Sequence, residues 1–401
     1  MTEEQKDLFG TEIAQSFPKK KKSKLKETQE NILRRMIASA DVLEDDLKML
    51  GQGKDFDSLL ELLLRDQTKG SEQITIPVVH SNTTDLDTYN IELHHHIIWA
   101  TDDYKKRGEG YNATDEIEVD AITKRKKRVI RPRAIKSKEE QRRRIKQKAE
   151  VFTPSWVCNA QNNLIDEAWF GRKDVFNYEK EDHTWMTNYK KIRFPKTKGR
   201  TWLDYVTERR LELCCGEGPY IVSRYDTTTG DLIPLRERIG LLDRKMRVVR
   251  ENVKPRKDLS VDENMRRWRE GAYKAIRSIY GFEWQGDNLL LTRENILVSF
   301  IEYFYDYCAQ YKLDAQLKTS TLSHVAYIIS WNIWQMDGLK YIIPYSDQNP
   351  VATKNELNFE PNKKSRFNCP DGIYAKIAHW TGKGREKYHQ TYEFRDLIKR
   401  R

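Results

Sequence analysis

Residues 211–220 read LELCCGEGPY, a short apolar run that breaks into Cys-Cys-Gly-Glu-Gly-Pro-Tyr. The run predicts a strand. Gly216 and Gly218 predict a turn in which the backbone bends tightly and a ligand comes closer than a Cβ would permit. A helix N-terminus after such a turn would present free N–H groups to a carboxylate or phosphate. A structural tight turn explains a lone glycine pair almost equally well, so the surrounding sequence has to decide.

Working outward, SWVCNAQNNLIDEAWF (155–170) has Trp156, Ala160, Asn163, Leu164 and Ala168 near one helical face. LIPLRERIGLLDRKMRVVREN (232–252) carries Leu235, Ile239, Leu242, Met246 and Val249 at helical spacing. SIYGFEW (278–284) predicts a second strand, NLLLTRENILVSFIEYFYDYC (288–308) a helix, and 321–334 a further helix leading into MDGLKYIIPY. Alternating strands and helices predict a parallel sheet with crossover helices. An acid at the end of the second strand, Glu283, suits the ribose hydroxyls of a nucleoside. Asp337, in NIWQMDGL, is placed to meet an adenine amino group.

Four segments in order, EVFTP (150–154), LELCCGEGPY, YGFEWQGDNLLLTREN and NIWQMDGL, resemble successive motifs of the N6-adenine DNA methyltransferases of bacterial restriction–modification systems. The resemblance covers about residues 148–340. In that family an acid-Pro-x-Cys-Gly-x-Gly-x-aromatic pattern ends the first strand. Glu212, Cys215, Gly216, Gly218 and Tyr220 match it, while Leu213 replaces its proline and Pro219 takes a usually small position. The resemblance implies an α/β fold with a Rossmann-like class I methyltransferase sheet and S-adenosyl-L-methionine as cofactor. Phe152, Thr153 and Pro154 would flank its methionine end, and Glu212, Gly216 and Gly218 would floor the site. Glu283 would hold the ribose, Trp284 would lie beside the adenine, and Asp337 would accept from its N6. Core packing is the competing reading for Phe152 and Trp284.

The family's Asn-Pro-Pro-Tyr loop, which polarises the adenine amine and stacks on the flipped base, is missing. The chain has twelve prolines, no two of them adjacent. That leaves an inactive relative or a methyltransferase divided between two chains; the intact cofactor-side motifs favour the divided enzyme, and the resemblance then implies catalytic residues on a second subunit that carries Asn-Pro-Pro-Tyr and the target-recognition region and completes the sheet. A second reading is a DNA-binding specificity or metal-dependent nuclease subunit whose methyltransferase-like fold senses the cofactor.

The 72 basic and 61 acidic residues leave a net charge of +11, concentrated in PKKKKSKLK (18–26) and KRKKRVIRPRAIKSKEEQRRRIKQK (124–148). Blocks of positive charge favour a polyanion through counterion release. Lys124, Arg125, Lys126, Lys127, Arg128, Arg131 and Arg133 are the expected contacts to double-stranded DNA. Five cysteines form neither a disulfide framework nor a zinc spacing, and no secretory or membrane-spanning segment is visible, so a bacterial cytoplasmic location is expected.

Four regions are expected: a basic flexible arm (1–27), an α+β accessory domain with the basic segment (28–149), the cofactor-binding domain (150–340) and a C-terminal extension for subunit docking (341–401). Within the second, helices are expected over 27–50 and 56–66, strands over 72–80, 88–100 and 115–133, and an exposed charged helix over 134–149. Three consecutive histidines (94–96) cannot all face one ion on a strand, though His94 and His96 can. Asp115, Glu116, Glu118 and Asp120 faintly resemble a metal-dependent nuclease core with Lys124. A polar strand pair with its acids facing solvent is the simpler expectation, and no metal is assigned.

Overall fold

The computed structural model describes residues 24–50, 58–79, 86–123, 128–148, 150, 152–348, 372–380 and 389–398. Most of the 1–27 arm, the Lys124–Lys127 run and much of the C-terminal extension lie outside these.

Among the described residues three helices come first, α1 (Lys24–Ala38), α2 (Glu44–Met49) and α3 (Leu59–Leu64). An antiparallel hairpin follows, β1 (Ser71–Val79) with β2 (Leu86–His94). Then come the one-turn helix α4 (Val119–Ile122), the basic helix α5 (Lys138–Lys148), α6 (Ser155–Phe170) and a short hairpin, β3 (Asn177–Glu179) with β4 (Trp185–Thr187). The α/β part runs through α7 (Trp202–Thr207), β5 (Arg210–Glu212), α8 (Leu241–Asn252), α9 (Val261–Arg277), β6 (Ile279–Glu283), α10 (Gly286–Tyr311), α11 (Thr319–Asn332) and β7 (Ile333–Gln335). A last antiparallel pair, β8 (Lys376–Trp380) and β9 (His389–Glu393), leads into α12 (Phe394–Ile398).

β5, β6 and β7 form a three-stranded parallel sheet with β6 in the middle, Glu212 opposite Gly281 and Glu283 opposite Gln335. Parallel neighbours need long crossovers, and α8–α9 and α10–α11 supply them. α9 starts with a reciprocal cap in which Ser260 and Glu263 satisfy each other's backbone N–H groups. It buries Met265, Trp268, Ala272 and Ile276 at three- to four-residue spacing. α10 is buried along almost its whole length and is the central post of the core.

Several expectations change. Residues 115–133 are not one strand: Glu116 makes a single bridge to Ile98, residues 119–122 are helical, and Arg133–Ile135 form a 3-10 turn. The helix expected over 232–252 starts only at Leu241, behind a Gly240 cap whose N–H donates to Asp243 Oδ2. Nor does the core divide near 149. One apolar cluster joins Leu33, Leu60 and Trp99 to Leu289, Leu322 and Ile329. Buried Arg293 on α10 donates to the carbonyls of Leu63 (2.5 Å) and Arg65 (3.0 Å) as well as to that of Ile333 (2.8 Å).

The basic helix is not wholly exposed either. Arg144 on α5 is fully buried. It bonds Glu150 and Gln285 Oε1 (2.9 Å) and pairs with Asp103 (3.0 Å) and Asp287 (2.9 Å). Lys136 and the Tyr104 hydroxyl complete the contacts to Asp287, at 3.4 and 2.8 Å.

Removing one partner of a buried ion network strands the others, at a cost of about 3–5 kcal/mol. Arg144→Leu is therefore expected to lower the denaturant-unfolding free energy by about that much. The wild-type chain should unfold in a single calorimetric transition across both halves. Two separated transitions would restore a boundary near 149.

Candidate functional site

The candidate site lies where β5, β6 and β7 end. Cys215 N–H donates to the Phe282 carbonyl (2.8 Å), which carries the β5–β6 pairing into the loop. Gly216 and Gly218 have φ of +55° and +74°, a left-handed backbone that glycine adopts without strain. A Cβ at Gly216 would sit 3.2 Å from the Phe152 ring, and one at Gly218 2.8 Å from Thr292 Cγ2. Gly216 N–H donates to Glu283 Oε2 (2.9 Å), and its carbonyl accepts from the Thr292 hydroxyl (2.6 Å).

The helix expected directly after this turn is absent. Residues 218–222 make one closed turn, and the next α-helix begins at Leu241. Glu212 takes the N–H groups that a helix start would have offered, Ile221 at 3.1 Å and Tyr220 at 3.5 Å. Burial pushes its carboxyl up to about 8, against the pull of those two N–H groups.

Glu283 is buried, and burial raises its carboxyl above the ordinary range. Oε2 holds Gly216 and Oε1 accepts from Gln285 N–H (3.1 Å). Each carboxylate oxygen has a second lone pair, so Glu283 can still accept from a diol. Asp337 follows β7 in a tight turn, where Oδ1 accepts from the N–H groups of Leu339 (2.8 Å) and Lys340 (3.1 Å). Both bonds fall on Oδ1, which leaves Oδ2 to an outside donor. A Cβ at Gly338 would lie 3.9 Å from Cys214 Sγ, so the β7 loop adjoins the glycine turn.

Other expected residues have structural duties. The Trp284 indole donates to the Ala100 carbonyl (2.9 Å) and its ring meets Tyr345 edge-on. Cys215 is buried under Gly281 with its thiol 3.9 Å from the Thr292 hydroxyl, so it packs in the core instead of facing a ligand. Phe152 is buried against Gly216. The Thr153 carbonyl accepts from Thr227 (3.2 Å), Pro154 caps α6, and the Tyr220 carbonyl accepts from Asn162 (3.1 Å).

Among the expected DNA contacts, Arg133 is corrected: it is buried, with its guanidinium 5.3 Å from the Phe152 ring centre, and its backbone N–H donates to Glu217 Oε1 (2.6 Å). Arg128 is exposed and pairs with Asp41, and Arg131 is half-buried and pairs with Glu140. Sequence reasoning missed Thr292 and Glu217. Glu217 stood between the two glycines, but only its burial and its bonds to Arg133 and Tyr225 mark it as an anchor. A small cavity ringed by Arg238, Arg244 and Arg250 lies elsewhere, and these arginines are already paired with Glu302, Asp166 and Asp306.

The residues present suit a nucleoside cofactor at its ribose and adenine end. Glu283 and Asp337 both keep acceptor capacity, while the side-chain space at Gly216 and Gly218 is taken by Phe152 and Thr292.

Two outcomes follow. Gly218→Ala forces a side chain into a left-handed, closely packed position and is expected to cost about 1–3 kcal/mol in chemical denaturation. Glu212 has a folded-state value of about 8, above its ordinary 4.5. Its contribution to stability is therefore whole below about pH 4.5 and lost as pH rises through about 8. Glu212→Gln should flatten the fall in melting temperature over that window, and an unchanged slope would refute the assignment.

No family model, curated protein or solved structure matches the chain, so its function is argued from these residues.

Proposed function

We propose that this chain is the S-adenosyl-L-methionine-binding subunit of a split N6-adenine DNA methyltransferase from a restriction–modification system. The observation that carries the reading is the meeting of the three strand ends. The Gly216 turn, the Glu283 carboxylate bonded to it at 2.9 Å and the Asp337 turn lie side by side at the ends of adjacent parallel strands. That is the crevice where open parallel sheets bind nucleotides. Glu283 would hold the ribose, Asp337 the adenine amine, and the Phe152–Tyr220 side the methionine portion. The bound cofactor would supply an electrophilic methyl group on sulfur.

The partner chain would supply the Asn-Pro-Pro-Tyr loop and target recognition. Support comes from the sheet edge: among the described residues β5 pairs only with β6, and its flank exposes Leu211 (42%) and Leu213 (64%). An unpaired strand next to the cofactor loop is a template for a further strand, and a partner strand placed there would set its own loop beside Gly216. Arg128, Arg131 and the neighbouring 124–127 run would contact DNA phosphates. Among the described residues, no helix is long and apolar enough to cross a membrane.

Calorimetric titration of S-adenosyl-L-methionine should show one saturable site, weakened about tenfold or more (about 1.4 kcal/mol) by Glu283→Ala and by Asp337→Ala. The titration is run on the chain alone and on its complex with the Asn-Pro-Pro-Tyr subunit. Absence of binding at millimolar concentration in both would overturn the reading. Methylation by the reconstituted pair should be lost with Asp337→Ala while the complex persists.

A further inference from the structure

We propose that His96, Glu116 and Glu118 form a binding site for one divalent cation of the Zn²⁺ or Mn²⁺ type, independent of the cofactor site. One ring nitrogen and one oxygen from each carboxylate lie within 4.8 Å of one another.

The backbone explains the grouping. Ile117 N–H donates to the Ile97 carbonyl (2.9 Å), Trp99 N–H donates to the Asp115 carbonyl (3.1 Å), and Ile98 bridges Glu116 in antiparallel fashion. In that register residue 96 stands opposite 118. Side chains alternate along extended chain, so 96, 116 and 118 share a face while Ile97 and Ile117, both fully buried, point the other way into the core. His94, at the end of β2, lies outside the group, with its ring 3.9 Å from Glu92.

His96 is more than nine-tenths buried. Its Nδ1 lies 3.1 Å from the Ile117 carbonyl and 3.9 Å from Glu118 Oε2. With the Nδ1 hydrogen on the carbonyl the lone pair is on Nε2, so Glu118 would swing from the Nδ1 edge of the ring to meet a metal there. Glu116 is held in place from the other side: its Oε2 accepts from the His96 backbone N–H (2.9 Å), and its Oε1 lies 3.1 Å from both His95 Nδ1 and Lys69 Nζ.

The local charge leaves room for a cation. Lys69 is shared between Glu116 (3.1 Å) and Asp66 (4.0 Å), and Lys48 is taken by Asp120 (2.7 Å). Asp66 Oδ2 is buried with no hydrogen-bond donor. Among the described residues, the nearest basic nitrogen to Glu118 is His96 Nδ1, at 3.9 Å.

One imidazole with two carboxylates is a mixed set that suits Zn²⁺ or Mn²⁺ better than Mg²⁺. Ligand atoms on a tetrahedral Zn²⁺ stand about 3.4 Å apart for bonds near 2.1 Å, so the group must close slightly. Glu118, with its side chain 59% exposed, is free to do so. Three protein ligands leave a coordination position open, the arrangement of a Lewis-acid site rather than a sealed structural one.

The test uses the full chain stripped with a chelator. Zn²⁺ affinity is read by competition with a chromophoric chelator, and Mn²⁺ binding by loss of the free-ion electron paramagnetic resonance signal. One cation per chain is expected, weakened about tenfold or more by His96→Ala and by Glu118→Gln. Asp120→Asn, an acid nearby but outside the group, should leave affinity unchanged. His96 is buried and its variant can misfold, so the decisive arm is exposed Glu118→Gln, with folding checked by circular dichroism. No stoichiometric binding by the wild type, or equal binding by Glu118→Gln, overturns the proposal.

Discussion

The Asp287 carboxylate is the constraint on which most of the structure turns. It lies fully buried in the first turn of α10, four residues beyond Glu283, and its contacts come from Tyr104, Lys136 and Arg144. Burial opposes its charge, yet Arg144 and Lys136 hold it ionised, well below the ordinary carboxylate range. A buried charge must be paired, so Tyr104, Lys136 and Arg144 are clamped to the helix that leaves the central strand. The clamp extends to the candidate site. Arg144 also holds Glu150, two residues before Phe152, while Arg133 bonds Glu217 and covers the Phe152 ring that rests on Gly216. One charge cluster therefore braces the glycine turn.

That arrangement divides the basic segment into two uses. Lys136, Arg133 and Arg144 face inward and are consumed by the fold. Arg128 and Arg131 remain toward solvent, beside the 124–127 run. Any phosphate contact then lies on the outer side of a segment whose inner side braces the glycine turn, so substitutions of the two sets should be read differently, one as binding and the other as stability.

The two proposed sites share a short piece of chain. His96 belongs to the group suited to a cation. Two residues on, Ile98 exchanges hydrogen bonds with the Gln335 side chain at the end of β7, through its N–H (2.9 Å) and carbonyl (2.8 Å). Ala100, with φ of +50°, holds the Trp284 indole. Gln335 also donates to the Trp284 carbonyl (2.8 Å). Residues 96–100 thus lie across the ends of two of the three parallel strands, which is why they belong to the same folded unit as the sheet.

The sequence alone determined the elements whose signal is local. Spacing marks 155–170 and 288–308 as helices but not which side is buried: Trp156 and Leu164 of the expected face are exposed while Asn159, Asn162, Asp166 and Trp169 are buried, and 288–308 is buried on all sides. Gly216 and Gly218 mark a left-handed turn because other residues are strained there. Local pattern failed where the deciding partner is distant. Residues 115–133 look extended, but among the described ones only 115–118 find a strand-like partner, in the 96–99 segment. The regular buried face of helix 261–277 is masked in the sequence by its many charges. Arg144 reads as a surface charge until three acids from residues 103, 150 and 287 surround it. The same holds for His96, Glu116 and Glu118: strand alternation allowed them a common face, but the register of two segments brought together by the fold placed them on it. Periodicity is written within about ten residues, whereas pairing of buried charges and strand register depends on which distant segments the core brings into contact, and here only the tertiary structure decided that.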